Sequence, residues 1–295
     1  MTRASALLVG FVTRTASGRA RAQAILGPHG YPSLASLVRL RPRLYLLTVP
    51  DQALREVAEE LGGLLGDVPQ EEASPPFVAH TSGATSVTVL APCEEAGAQT
   101  LVLHPLQTFP DPRMGADRFR GVAMAVTPGS DGPDSPAARF GFDLARTLGA
   151  RPFFLPDDKR TLYHAAATLA CNYFVTIEHE AERLFHQAGL PQDEALEMFL
   201  PLVKTTLENI FTQGTVRALT GPLSRGDLET VRAHLSALET EAPQTVPLYR
   251  ALGLATLDIL RLRGELDEKT ISALAELLGA SGPQRGKQPR PRRAT

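Results

Sequence analysis

The chain has almost no net charge: across 295 residues, 30 Lys and Arg offset 32 Asp and Glu to leave −2. A near-neutral protein exerts no general electrostatic pull on nucleic acid or acidic lipid, so neither partner class is expected. Long apolar runs are missing too. None approaches the roughly 20 residues needed to cross a bilayer, which argues against a membrane helix. Cysteine is scarce: Cys93 and Cys171 lie far apart with no zinc-type spacing, and they read as reduced thiols of a cytoplasmic protein. A secretory leader fits poorly. The apolar segment Ala6 to Val12 is short, lacks a small-residue cleavage site and is followed at once by Arg14, Arg19 and Arg21. A glycine-rich phosphate turn is also absent after that segment, where "TRTASG" holds Thr13, Arg14, Thr15 and one late glycine, Gly18.

Present instead, up to about residue 156, is an alternation of short apolar runs and helical patterns. The runs are Ala6 to Val12, Leu44 to Val49, Pro76 to His80, Thr100 to His104, Gly121 to Val126 and Pro152 to Leu155. Between most of them lie segments with apolar residues at helical spacing, such as "QALREVAEELGGLL" and "PAARFGFDLARTLG". Continuous apolar strands separated by amphipathic helices predict a mostly parallel sheet covered on both faces. After "DDKR" the pattern becomes long helices. One is expected from Thr161 to Gly189, another from Gln192 to Gly214 with a kink or break at Pro201, and three more by residue 279. The closing "SGPQRGKQPRPRRAT" is basic and proline-rich and reads as a disordered tail. The expected organisation is a Rossmann-like domain over 1–156, an all-α domain over 157–280 and a tail over 281–295.

In doubly wound sheets, ligands sit outside the carboxyl ends of the strands. Four of the apolar runs end in polar or turn-forming groups: Thr13, Arg14 and Thr15; Pro50 and Asp51; His80 to Gly83; and His104 to Phe109. Their convergence predicts a pocket.

The motifs "TVPD", "HTSG", "HPLQTF", "YHAAATLACNY" and "LTGPLSRGD", in this order and spacing, resemble an uncharacterised bacterial family of Rossmann-like dehydrogenases with a carboxyl-terminal domain of unknown function. That family is similar to pyrroline-5-carboxylate reductase, the β-hydroxyacid dehydrogenases and 6-phosphogluconate dehydrogenase. The resemblance implies an NADP-binding domain followed by a helical domain that binds substrate and forms a homodimer. It also implies a first βα unit with a glycine-rich turn, and "LLVGFVTRTAS" matches the family's second strand instead. The expected sheet therefore lacks its first strand, and truncation of the gene model is favoured over an impaired copy.

By the same resemblance Arg14, with Thr13 and Thr15, faces the 2′-phosphate of NADP, where an acidic residue would select NAD. Val49, Pro50 and Asp51 are expected at the cofactor, although helix capping accounts equally well for Pro50 and Asp51. His80, Ser82 and Gly83 form a small-residue turn suited to close approach by a ribose or substrate, or simply a turn. His104 and Thr108 are candidate substrate ligands. No second histidine stands at ligand spacing from His104, so no metal is expected.

His164, Thr168 and Asn172 recur at steps of four on an alanine-rich helix expected to be buried. In β-hydroxyacid dehydrogenases a lysine and an asparagine four residues apart occupy the analogous helix; here Thr168 takes the place of the lysine. His164 is then the expected proton-transfer group, since an imidazole suits that work near neutral pH, and Asn172 the group orienting substrate. Arg225 offers a fork for a substrate carboxylate, or a contact with Asp227. The expected activity is NADP-dependent hydride transfer to or from a small carboxylate-bearing alcohol, carbonyl or imine in the cleft between the domains. The alternatives are a nucleotide sensor or scaffold without turnover, and a truncated nonfunctional product.

Overall fold

The structure is a computed structural model that describes residues 7–67, 75–110, 116–130, 132–191 and 194–279. The predicted basic tail lies outside the described residues. The chain divides into two compact units, residues 1–172 and 173–295.

The first unit begins with helices α1 (Ala16–Leu26) and α2 (Leu34–Val38). Strand β1 (Leu44–Leu47) leads into α3 (Leu54–Gly66), and β2 (Phe77–His80) into the short α4 (Ala91–Glu95). Then come β3 (Gln99–Pro105), β4 (Ala123–Pro128), α5 (Pro136–Thr147), β5 (Arg151–Phe154) and α6 (Arg160–Ala170). Among the described residues the strands form a five-stranded sheet in the order β1-β2-β3-β4-β5. All neighbouring pairs are parallel except β3 and β4.

Side-chain alternation divides the core between the two faces of this sheet. Tyr45, Leu47 and Val78 pack with Leu54, Ala58, Leu61 and Leu65 of α3 and with Leu90 and Cys93. Phe77, Ala79, Leu101, Leu103, Met124 and Val126 pack on the other face with Ala137 and Ala145 of α5. Gly141 permits this closeness, since a Cβ there would stand 2.7 Å from Val126 and 2.9 Å from Leu101. The fold is thus a Rossmann-like sheet covered on both sides, followed by a helical region.

The opening apolar segment corrects the sequence expectation. Leu7 to Val12 is not a buried sheet strand: Leu7 is 88 % exposed, and among the described residues the segment pairs only through an isolated parallel bridge between Phe11 and Gly30. A strand beside it on the sheet side would be needed to bury that run, and β1, an edge strand, is bonded to β2 alone among the described residues.

The long helix expected from Thr161 also differs. It stops at Cys171, where φ −125° and ψ −64° leave the helical region, and α7 (Asn172–Gln187) starts anew. Nor is α6 buried; Arg160 is its one buried residue.

In the second unit α8 (Ala195–Ala218) stays helical through Pro201 and leaves helical dihedrals at Gly214 (φ 77°, ψ 165°), a conformation that favours glycine. The break expected at Pro201 does not form, and the departure at Gly214 falls at the expected end of the helix. Helices α9 (Leu228–Glu241), α10 (Val246–Arg263) and α11 (Glu268–Leu277) enclose a core of Val231, Leu235, Leu257, Leu260, Ile271 and Leu274. No helix of the described residues is long and apolar enough to cross a membrane.

Candidate active site

The candidate site forms at the carboxyl ends of β1, β2 and β3. In the parallel register His80 lies opposite Val102, so His104, two residues further along β3, projects from the same sheet face as His80. The His80 imidazole is fully buried. Its Nδ1 accepts from the Ser82 amide at 3.2 Å, which leaves the proton on Nε2 to donate to Ser86 O at 3.3 Å. Burial pushes its pKa down to about 4, so the ring is a neutral pin holding the turn after β2.

That turn is secured from both sides. The Ser82 hydroxyl donates to Asp51 Oδ2 at 2.7 Å and accepts from the Thr85 amide at 3.0 Å, while the Thr85 hydroxyl also reaches Asp51 at 3.2 Å. Asp51 opens the 3-10 turn that leads into α3, so the "VPD" and "HTSGAT" motifs are one hydrogen-bonded unit. Val49, just before it, is partly buried against the α3-side core.

From the other side comes Arg160, at the start of α6. Its guanidinium donates to Thr85 O at 2.9 Å, Thr127 Oγ1 at 3.0 Å, Gly83 O at 3.1 Å and Ser82 O. Asp157 completes the brace, accepting from the Ser86 hydroxyl at 2.5 Å and the Val87 amide at 2.9 Å.

Gly83 is where the histidines meet. A Cβ on it would lie 2.8 Å from His104 Nε2 and in collision with His164 Nδ1. The two imidazoles face each other at 80° with centroids 6.0 Å apart. His104 Nδ1 lies 3.0 Å from the Tyr163 hydroxyl, and burial, aided by the Arg160 and His164 charges, pushes the His104 pKa down to about 4. The structure thus gathers Asp51, His80, Ser82, Gly83, His104 and His164 of the sequence candidates. A glycine at 83 is the only residue that leaves both imidazoles where they are.

The other candidates stand elsewhere. Thr15 caps α1, accepting from the Gly18 amide at 3.0 Å, and the Thr13 hydroxyl donates to Thr15 O at 3.2 Å; Arg14 between them is exposed. Thr108 lies on the exposed turn beyond β3, its carbonyl held by Arg118 at 3.2 Å. Thr168 donates its hydroxyl to His164 O at 3.0 Å within α6. Asn172 lies beyond the break at Cys171, so it does not continue the helical face of His164 and Thr168. In the second unit Arg225 is exposed, and Asp227 caps α9 by accepting from the Thr230 amide at 3.0 Å and hydroxyl at 2.6 Å.

Sequence reasoning missed Arg160, Asp157, Thr85 and Tyr163. Arg160 and Asp157 belong to the "DDKR" stretch, which reads only as a boundary, because the partners of Arg160 are mostly backbone carbonyls without a sequence signature.

Residues 1–105 match the family described as a Rossmann-like domain, and residues 127–256 the family described as a domain of unknown function, DUF2520. No curated protein matches the sequence. Among solved structures the chain is similar to BF3122 from Bacteroides fragilis, provisionally named an NADP oxidoreductase, at 25% identity and TM-score 0.64, over 90% of this chain and 91% of that one. It is similar to 1-pyrroline-5-carboxylate reductase from Streptococcus pyogenes at 17% identity and TM-score 0.55, over 90% and 88%. A reductive aminase from Aspergillus terreus, in complex with NADPH and ethyl-5-oxohexanoate, matches at 17% identity and TM-score 0.52, over 90% and 82%. The two matched regions follow one another along the chain, the Rossmann-like match first and the DUF2520 match second.

Proposed function

We propose that the protein is a cytoplasmic NADP-dependent oxidoreductase acting on a small carboxylate-bearing alcohol, carbonyl or imine. The observation that carries this reading is the convergence of His104 and His164 on Gly83, at the end of a Rossmann-like sheet. Likeness to BF3122 and to the NADPH-bound reductive aminase supports it.

The residues fit such a cofactor at two places. The braced turn of Asp51, Ser82 and Gly83, with Val49, Pro50 and His80 behind it, offers a close-approach surface for the nicotinamide ribose, because Gly83 has no side chain to exclude it. Arg14, with the hydroxyls of Thr13 and Thr15 at the amino end of α1, suits the 2′-phosphate. When bound, the nicotinamide supplies or removes a hydride. The chain's own residues do the rest: His164 gives or takes the proton, and His104 holds the reacting substrate atom by a hydrogen bond. The apolar side chains exposed on α8, among them Met198, Leu202 and Phe211 (85% exposed), support a homodimer formed through the helical region.

Titration of the full chain with NADPH and NADH, read by nicotinamide fluorescence, followed by assays against hydroxy acids and imino acids, tests this function. Failure of both dinucleotides to bind overturns it. Binding without turnover favours a sensing role, which the replacement of the expected lysine by Thr168 also favours.

A further inference from the structure

We infer that Tyr163 is a positioning residue that fixes His104 in the tautomer carrying its proton on Nε2, so that His104 offers a hydrogen-bond donor beside Gly83. Three observations lead there. The Tyr163 hydroxyl lies 3.0 Å from His104 Nδ1, with the rings edge-on at 90° and 5.5 Å between centroids. Of the two His104 ring nitrogens, Nε2 is the one turned to Gly83, 2.8 Å from where a Cβ would stand. Tyr163 and His164 are consecutive on α6 and both reach His104, Tyr163 at its bonded Nδ1 and His164 with its ring edge-on at Gly83, the side to which His104 turns Nε2.

The direction of the Tyr163 bond settles the tautomer. Burial raises the Tyr163 pKa, so the phenol keeps its proton at neutral pH. A phenol is a strong donor and a weak acceptor, whereas a neutral imidazole nitrogen is a strong acceptor, so the favoured pairing is O–H to Nδ1. His104 is itself neutral: burial disfavours its charged form most, the charges of Arg160 and His164 add to that, and Asp51 opposes them least strongly. A neutral imidazole whose Nδ1 accepts carries its hydrogen on Nε2.

The consequence, which rests on the function proposed above, is a division of labour between two adjacent histidines. His104 cannot exchange a proton through Nδ1 while Tyr163 occupies it, so it serves as a neutral donor to an oxygen or nitrogen of the substrate. His164 has no such partner among the bonds of the described residues and is left to transfer the proton. Two equivalent imidazoles would compete for one proton; Tyr163 makes them different.

Two-bond proton–nitrogen correlation spectra of the full chain, with histidine labelled by nitrogen-15 and His104 assigned through His104→Gln, test the inference. The expected result is an Nε2–H pattern for His104 in the wild type and its conversion to mixed tautomers in Tyr163→Phe. With a substrate in hand, Tyr163→Phe lowers kcat about tenfold and leaves dinucleotide binding unchanged. An Nδ1–H pattern in the wild type, or an unaltered Nε2–H pattern in the variant, overturns the inference. The wild-type spectrum decides it even if the variant fails to fold. Absence of dinucleotide binding overturns the proposed function instead and leaves the tautomer readout standing.

Discussion

Arg160 Nε donates to Thr85 O at 2.9 Å, joining residues 75 positions apart and tying the start of α6 to the turn after β2. With Thr127, Gly83 and Ser82 as its other acceptors and 1 % exposure, the guanidinium sits where water cannot replace it. Removing it leaves buried carbonyls without donors, at about 1–3 kcal/mol for each group, part of which local relaxation recovers. Arg160→Met is therefore expected to lose about 3–5 kcal/mol of stability. Lysine keeps the charge but not the fork, so Arg160→Lys should recover only part. Urea unfolding reads this as a lower midpoint at unchanged slope. A Met variant with the wild-type midpoint would show that the brace adds no stability.

Gly83→Ala tests the same turn from the other side. The added methyl meets His104 Nε2 at 2.8 Å and collides with His164 Nδ1, so the two rings must separate or the turn must shift against Arg160 and Ser82. Overpacking of this kind costs about 1–3 kcal/mol. Misplacing a reacting group by about 1 Å costs on the order of a hundredfold in rate. The expected variant is folded, binds dinucleotide more weakly than wild type because its methyl occupies the close-approach surface, and has kcat reduced by about a hundredfold. Full activity in Gly83→Ala would show that the histidines do not act together.

Much of this architecture is legible in the sequence because burial on both faces of a sheet produces continuous apolar runs. Leu44 to Val49, Pro76 to His80 and Thr100 to His104 declare β1, β2 and β3, and the polar groups that follow them mark the site. The same signal misleads at Leu7 to Val12, where hydrophobicity records a strand's need for neighbours and not their presence. The stop at Cys171 has no proline or glycine to announce it. Pro201 announces a break that the helix does not make, since a proline removes only one amide, whereas the end expected at Gly214 is marked by a left-handed conformation that side chains resist. Tyr163 and Arg160 stayed hidden for a different reason. Their roles depend on partners 59 and 75 residues away, and no local pattern encodes such pairs.

His80 gives the protein a defined sensitivity to acid. Its folded pKa of about 4 lies below the ordinary 6.5, so the unfolded chain binds a proton that the folded chain refuses. Above pH 6.5 both states are neutral and the residue contributes no pH dependence. Between about 6.5 and 4 unfolding gains a proton, and stability falls by about 1.4 kcal/mol per pH unit for this one group, to a total of about 3 kcal/mol. His80→Gln should flatten that stretch of the curve by about one proton, although it lowers stability at neutral pH by loosening the turn. Urea midpoints measured from pH 7.5 to 4.5 in both proteins give the difference. Parallel curves would place the acid sensitivity elsewhere.

The choice between dinucleotides turns on Arg14. It is exposed, and Thr13 and Thr15 on either side are engaged locally in capping α1, so replacing it should not disturb the fold. If its guanidinium meets the 2′-phosphate, the charge-assisted bonds are worth about 1.5–3 kcal/mol, which is about 10- to 100-fold in Kd. Arg14→Ala should weaken NADPH by that factor and leave NADH unchanged. Arg14→Glu should go further and reverse the preference, since a carboxylate repels the phosphate and can accept from the ribose hydroxyls of NADH. Added salt should weaken NADPH more than NADH in the wild type, because the extra phosphate contact is exposed and screened. If the two variants bind NADPH as the wild type does, the specificity lies in residues other than the amino end of α1, and the His104–His164 pair at Gly83 stands without it.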